Sequence, residues 1–215
     1  MGLGGASLAA LVAGCGDDDE TTTSQAETTP TTPESNADVT LDFSNPLAVL
    51  NYAYALEQLE AAFYETARND PFQGATKEEV SILDSLKGHE FAHREFFKAV
   101  LAQDAIGALE PDFSSVDFTD RDSVLMTAAT FEPIGVAAYN GAARFIDITG
   151  PLGAAPLMAA GDIVSVEARH ASTLLDLVGM PFAPEAFDEG MAPDEVLEAI
   201  KPFLKTTVEI TNLPS

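Results

Sequence analysis

Glu90-Phe91-Ala92-His93 and Glu167-Ala168-Arg169-His170 share the pattern Glu-x-x-His, and they contain two of the chain's 3 histidines. On a helix this spacing projects both side chains from one face, so a carboxylate and an imidazole can reach one metal ion. A single pair is weak evidence, because such pairs also occur on solvated helices. Two pairs on separate helices predict a shared metal site inside a helical bundle.

Each pair lies near the middle of a stripe of apolar residues with helical spacing. A carboxylate buried in such a stripe is costly unless it is paired or bound to a metal. The pattern therefore predicts that both pairs face the bundle interior. The stripes contain Ile82, Leu86, Glu90, His93, Phe97 and Leu101 on one helix, and Ile163, Glu167, His170, Leu174 and Leu177 on the other.

Two other helical stretches carry a glutamate and, seven positions later, a tyrosine: Glu57 with Tyr64, and Glu132 with Tyr139. The chain thus repeats one plan, which predicts two equivalent half-sites facing each other. A glutamate from each of two helices and a Glu-x-x-His pair from each of the other two form the ligand set of di-iron and di-manganese bundles. We therefore predict six metal ligands: Glu57, Glu90, His93, Glu132, Glu167 and His170.

The fold is predicted to be all-α, since no stretch alternates apolar and polar residues as strands do. Short loops join the first helix to the second and the third to the fourth, so each pair should be antiparallel. The stretch 105–121 is long enough to return along a helix, which gives a four-helix bundle with one long crossover, the ferritin-like connection. A short C-terminal helix follows. The predicted helices span about residues 46–67, 76–104, 122–148, 151–178 and 193–204.

The charge of the chain is strongly acidic, with 10 Lys+Arg against 35 Asp+Glu and a formal net charge of −25. Such a surface repels phosphate backbones, so we expect no nucleic-acid partner. A solvated, self-repelling exterior that suits a salty or extracytoplasmic setting explains the acidity better than a specific cationic partner does.

The single cysteine, Cys15, follows a short apolar run that ends in small residues, as the core of a signal peptide does. Val12-Ala13-Gly14-Cys15 resembles a bacterial lipobox, in which the cysteine is acylated; a free thiol in a disordered leader is the alternative. No Lys or Arg precedes the apolar run, so we expect the true start to lie upstream of Met1. The expected organisation is a signal peptide (1–15), a disordered tether (16–42), the bundle (43–180) and a C-terminal extension (181–215).

Three stretches of the sequence resemble the bacterial ferritin-like domain family, which is related to rubrerythrin and bacterioferritin and is similar to plant desiccation-related proteins. They are residues 51–64 (NYAYALEQLEAAFY), 135–143 (GVAAYNGAA) and 167–171 (EARHA), and the resemblance covers about residues 45–179. It implies Glu57 and Glu132 as terminal ligands and Glu90 and Glu167 as bridging ligands. It further implies that His93 and His170 bind one metal each. Tyr64 and Tyr139 would form hydrogen bonds to the ligands and would themselves be catalytic residues.

Several residues have alternative interpretations. Pro133 directly follows Glu132, so we expect the third helix either to restart with Thr130 as its cap or to kink beside the site. His89 points about 100° away from Glu90 around the helix and is expected at the surface or rim. Glu60 is expected to form a surface salt bridge, with an extra ligand as the alternative. The two tyrosines could instead simply pack in the core, and the six ligands could form a metal-free hydrogen-bonded network.

These features predict a di-metal redox protein of the cell envelope that reacts with O2 or a peroxide, with iron as the first expected metal and manganese as the second. The alternative is a non-catalytic bundle that serves stress protection or metal holding. We expect the chain to be exported and attached to the bacterial cell membrane only through its lipid anchor. The sequence leaves the oligomeric state open, a homodimer included.

Overall fold

The structure, a computed structural model, describes residues 37–214. The predicted signal peptide with Cys15, and residues 16–36 of the predicted tether, lie outside the described residues. Five α-helices form the described unit: α1 Ala48–Asn69, α2 Lys77–Leu101, α3 Arg121–Ala142, α4 Ala155–Leu177 and α5 Pro193–Ile200. Short 3-10 turns, Ala102–Asp104, Ala143–Phe145 and Lys201–Phe203, extend α2, α3 and α5.

The helix ends follow local sequence signals. The hydroxyl of Thr76 accepts a hydrogen bond from the Glu79 amide (3.2 Å), and the Glu79 carboxylate accepts one from the Thr76 amide (2.8 Å). This reciprocal cap begins α2 where the sequence predicts it. By contrast, α4 begins at Ala155 and not at Pro151, because residues 151–154 form turns in which Gly153 has a φ of 57°. Helix α3 ends at Ala142, short of the predicted 148.

Helix α3 runs without a break across Pro133. The hydroxyl of Thr130 donates to the Met126 carbonyl one turn earlier (2.8 Å), so Thr130 acts as an ordinary helix residue and not as a cap. The predicted restart of the helix is therefore wrong, and Glu132 stays in register with the rest of α3.

The four long helices form two pairs, α1 with α2 and α3 with α4. Tyr64 contacts Glu132 and Tyr139 contacts Glu57, so α1 and α3 run in opposite directions. The crossover between α2 and α3 lies against α1, where Asn51 accepts a hydrogen bond from the Ile106 amide (2.8 Å) and Gln58 accepts one from the Leu109 amide (3.0 Å). The one-crossover bundle is thus confirmed.

Two short strands join the ends of the described segment. Val39–Asp42 (β1) and Val208–Thr211 (β2) pair in parallel, with Leu41 opposite Ile210. The expectation that the chain has no strands is wrong at this point, and the last four residues of the predicted tether form β1. Because the sheet is so small, the all-α class of the fold stands.

The C-terminal extension closes over α3. Helix α5 packs against α3, and the Met191 amide donates to the Ala137 carbonyl (2.9 Å). A Cβ on Gly141 would lie 1.8 Å from the Met191 carbonyl oxygen, so only glycine permits this close approach. Among residues 37–214, no helix combines the length and apolar character needed to cross a membrane.

Candidate metal centre

The structure brings all six predicted ligands together at the centre of the bundle. The four glutamates, one on each of helices α1 to α4, are 0% exposed. The histidine side chains are 12% and 6% exposed. Carboxylates buried in this number need compensating positive charge. The six are Glu57 on α1, Glu90 and His93 on α2, Glu132 on α3, and Glu167 and His170 on α4.

Four of these side chains form a first group, whose potential ligand atoms all lie within 4.8 Å of one another. The Nδ1 atom of His93 lies 3.4 Å from Oε2 of Glu57, 3.2 Å from Oε2 of Glu90 and 3.1 Å from Oε1 of Glu167. One imidazole nitrogen thus faces three carboxylate oxygens from three different helices. This is a donor set that could hold one metal ion.

A second group overlaps the first and satisfies the same 4.8 Å limit. The Nδ1 atom of His170 lies 2.9 Å from Oε1 of Glu90, 3.2 Å from Oε2 of Glu132 and 3.6 Å from Oε2 of Glu167. Glu90 and Glu167 belong to both groups, and each presents a different oxygen to each histidine. The bundle therefore contains two overlapping groups that could each hold a metal ion and that share two carboxylates.

Within residues 37–214, several buried atoms of the site have no hydrogen-bond partner, although they lie within ion-pair distance of one another. Unpaired buried polar atoms are rare in folded proteins and each calls for an explanation. Atoms that face a shared space without bonding to each other fit ligands of a cation. These atoms are Oε2 of Glu57, Oε1 of Glu90, Oε2 of Glu132, both carboxylate oxygens of Glu167, and Nδ1 of His170.

The two tyrosines hold the glutamates that belong to only one group. Tyr64 on α1 donates its hydroxyl hydrogen bond to Oε1 of Glu132 on α3, and Tyr139 on α3 donates to Oε1 of Glu57 on α1. The pairs cross between the helices, so each half of the repeat orients the glutamate of the other half. In each glutamate the second oxygen, Oε2, faces a histidine.

Both imidazoles are strongly stabilised in their protonated form. Burial lowers the pKa of His93, but contacts with Glu167, Glu57 and Glu90 outweigh burial and raise this pKa to about 12. For His170, burial is likewise outweighed by three carboxylates, and its pKa rises to about 12. The surroundings of both rings therefore favour a positive charge at the position that each Nδ1 faces.

The glutamates respond to the same shortage of positive charge. Burial, together with the neighbouring carboxylates, raises the pKa of Glu57 to about 8 and that of Glu132 well above its usual value, against the contacts with the histidines. Burial also acts to raise the pKa of Glu167, but the nearby imidazoles of His170 and His93 lower it to about 2. Two divalent cations would balance the charges of the four glutamates without any bound proton.

Glu60 is buried beside the site and forms no salt bridge with any other described residue, so the expectation of a surface salt bridge is wrong. It is 5% exposed, and burial and the charges of Glu167 and Glu132 raise its pKa well above the usual value. A Cβ on Gly135 would lie 3.1 Å from Oε1 of Glu60. The missing side chain at position 135 thus makes room for the Glu60 carboxylate. Glu60 is in neither ligand group.

His89 is exposed, as expected of a rim residue, yet it contacts the site. Its Nδ1 lies 2.8 Å from Nε2 of His170, the nitrogen on the side of the ring opposite to the carboxylates. The angle of about 100° between His89 and Glu90 on the helix placed it outside the site in the sequence-based prediction. That angle describes the direction of Cβ, and a histidine side chain is long enough to bend back toward α4.

A weak sequence signal for Glu60 exists. It stands three residues after Glu57, and Gly135 stands three residues after Glu132, so the two occupy equivalent positions in the repeat. A large residue in one copy and glycine in the other is typical of side chains that meet across an interface. For His89 no sequence signal of this kind is present.

A family model described as a ferritin-like domain matches residues 45–180. The comparison with curated proteins gives no match. The matched residues contain α1 to α4, and therefore all six potential ligands and both tyrosines.

Proposed function

We propose, from the premise that this chain belongs to the ferritin-like domain family, that it is a di-metal carboxylate protein that reacts with dioxygen or a peroxide. The observation that carries the proposal is the pair of overlapping ligand groups, which share Glu90 and Glu167 and contain buried atoms without hydrogen-bond partners. A hydrogen-bonded network without metal would pair these atoms with one another.

Each side chain has a definite part in this proposal. Glu90 and Glu167 would hold both ions, because each presents one oxygen to each histidine. The terminal carboxylates are kept in place by the tyrosine hydroxyls, which occupy the oxygens that face away from the histidines. Glu57 and His93 would hold only the ion at one position, and Glu132 and His170 only the ion at the other.

Carboxylate and imidazole ligands suit iron first and manganese second. Two such ions, when bound, supply the redox chemistry that reduction of dioxygen or a peroxide needs. Six protein ligands for two ions leave coordination positions open for the oxidant. The bundle interior excludes bulk water around the four buried glutamates, which strengthens the electrostatic interactions of the site.

The test is an oxygen-consumption and peroxide-decay assay on the whole chain after anaerobic loading with Fe(II) or Mn(II). We expect metal-dependent consumption of the oxidant, with the loaded Fe(II) or Mn(II) as the source of electrons, and Glu90→Ala should abolish this turnover. Glu78→Ala is the matched control, since Glu78 lies on the same helix and is exposed. Turnover that is equal in both variants would place the reaction outside this site.

A chain that binds two ions but consumes neither oxidant would instead support the non-catalytic alternative, a metal-holding or stress-protection protein. The ligand set would then retain its role, and only the reaction would be lost from the proposal.

An envelope location is part of the proposal and rests on the sequence around Cys15. The apolar run and Val12-Ala13-Gly14-Cys15 favour export and acylation at the cysteine, with the lipid as the sole membrane attachment. Intact-mass measurement of the chain extracted from bacterial membranes tests this. We expect the added mass of the acyl groups on Cys15, and release of the chain from membranes on Cys15→Ser. An unmodified Cys15 in a soluble chain would contradict it.

A further inference from the structure

The contact between His89 and His170 is an in-plane hydrogen bond. The two rings are within 7° of parallel, with centroids 5.1 Å apart, and Nδ1 of His89 lies 2.8 Å from Nε2 of His170. Carbon atoms of rings stacked face to face would be about 3.5 Å apart. The shorter nitrogen–nitrogen distance therefore means that the rings meet edge to edge, in the geometry of an N–H···N hydrogen bond.

The direction of this hydrogen bond follows from the role of the other nitrogen. Nδ1 of His170 faces Glu90 and Glu132 at 2.9 Å and 3.2 Å, and it must keep its lone pair free to bind a metal. In a neutral imidazole the proton then resides on Nε2, which donates to Nδ1 of His89. His89 thereby selects the tautomer of His170 and fixes the rotation of its ring.

His93 has no such support. In the described part of the chain, the hydrogen bonds and ion pairs of its ring all involve Nδ1. The residue before Glu90 is His89, whereas the residue before Glu167 in the other Glu-x-x-His pair is Val166, whose side chain cannot accept a hydrogen bond. The His93 side chain is also the more exposed, at 12% against 6% for His170. The two positions have the same ligand types but unequal support.

We propose that His89 is a positioning residue for the metal position of His170 and makes this position the tighter of the two. The proposal rests on the di-metal function argued above. Partners that orient a metal-binding histidine raise the basicity of the ligand and reduce the cost of ordering it, and their loss lowers metal affinity about 10–100-fold. His89 lies on the exposed face of α2, so its contribution is the hydrogen bond and not core packing.

The experiment is a metal titration of the whole chain with Co(II), followed by visible absorption, for the wild type, His89→Ala and His89→Asn. We expect two binding steps in the wild type. In His89→Ala the tighter step weakens about 10–100-fold and the other keeps its affinity. His89→Asn restores the tight step, because the amide oxygen can occupy the place of Nδ1 as acceptor. Ser85→Ala, an exposed change one turn earlier on α2, is the control.

A second readout distinguishes positioning from a general effect on the fold. In the Co(II)-loaded wild type, the Nε2 proton of His170 gives a paramagnetically shifted NMR signal that disappears in D2O. We expect this proton to exchange faster with solvent in His89→Ala and to be protected again in His89→Asn. In a His170→Ala background, His89→Ala should have no further effect on metal affinity, since the residue acts through that ring.

Equal weakening of both steps, no weakening of either, or failure of His89→Asn to restore the tight step would each overturn the inference while leaving the di-metal site in place. A wild-type chain that binds no metal would overturn the proposed function, and this inference with it.

Discussion

The α1–α2 half of the centre and the α3–α4 half carry the same ligands in the same order, but they differ in the residues around those ligands. Position 60 is a glutamate where the other copy has Gly135, and position 89 is a histidine where the other copy has Val166. Under the proposed function, the ligands repeat because two metal positions would impose the same chemistry on both halves. The supporting residues do not repeat, because each depends on what lies opposite it in the folded chain.

The largest expected effect comes from a residue that both halves share. Glu90 presents one oxygen to His93 and the other to His170, so Glu90→Ala should remove both ions. The metal content, measured by elemental analysis after metal loading, should fall from about two ions per chain to near zero. Glu78→Ala should retain both. If Glu90→Ala still binds one ion tightly, Glu90 serves only one half and the bridged arrangement is wrong.

Removal of one histidine should affect one half only. His93→Ala and His170→Ala should each bind about one ion per chain, since each histidine belongs to a single ligand group. The two variants differ in which ion they lose, and His170→Ala should lose the tighter one. If His93→Ala lost all of its metal and His170→Ala did not, metal binding beside His170 would depend on His93 without the reverse being true.

The metal-free protein should become less stable as the pH rises, and side chains of both halves should contribute to this loss. The pKa of Glu57 is raised by burial from 4.5 to about 8, so the folded state holds a proton that the unfolded state releases above pH 4.5. The pKa values of His93 and His170 are about 12, above the usual 6.5, so these residues keep a proton in the folded state that the unfolded state releases above pH 6.5. Stability therefore falls as the pH rises from about 5 to 8.5.

Thermal melting of the metal-free chain at pH 5, 7 and 8.5 checks this expectation, and the metal-loaded chain is the control. Bound cations replace the protons, so the loaded protein should lose little stability over the same range. A metal-free protein whose melting temperature rises between pH 5 and 8.5 would contradict the electrostatic account of the site.

Much of the fold and of the ligand set could be predicted because both leave local periodic signals. Glu-x-x-His and Glu-x6-Tyr are spacings within one helix, and Thr76 with Glu79 forms a cap within one turn. The crossover was predictable from its length. These features depend on residues close together in the chain.

What escaped prediction depends on residues that are distant in the chain. Strands Val39–Asp42 and Val208–Thr211 are four residues each and exist only through their mutual pairing. The burial of Glu60 requires the space above Gly135, and the contact of His89 requires the ring of His170 from α4. The start of α4 was predicted too early, at Pro151, because a proline can lie in a turn as well as begin a helix.

The two tyrosine hydrogen bonds should be of equal value. Tyr64→Phe frees Glu132 and Tyr139→Phe frees Glu57, each without a change in ring volume. We expect each variant to weaken one metal-binding step by about tenfold, because the terminal carboxylate loses its orienting donor. Titration with Co(II) measures this. If either variant binds metal as tightly as the wild type, that tyrosine contributes only to core packing.

The smallest expected effect is at Gly135. In Gly135→Ala a gain in helix propensity of about 1 kcal/mol is set against crowding of Glu60, whose Oε1 would lie 3.1 Å from the new Cβ. Crowding costs about 1–3 kcal/mol, so we expect a net loss of about 1 kcal/mol in the free energy of unfolding. In a Glu60→Ala background the same change should stabilise the chain by about 1 kcal/mol. Urea denaturation tests both expectations. If Gly135→Ala has the same effect in the two backgrounds, crowding of Glu60 does not explain it.

The most direct test of the central claim is anomalous diffraction from crystals of the chain loaded with Fe(II) or Mn(II). The account predicts two peaks about 3.5–4 Å apart, one beside Nδ1 of His93 and one beside Nδ1 of His170, with Glu90 and Glu167 in contact with both. A well-ordered bundle with no anomalous peak between these residues would contradict it.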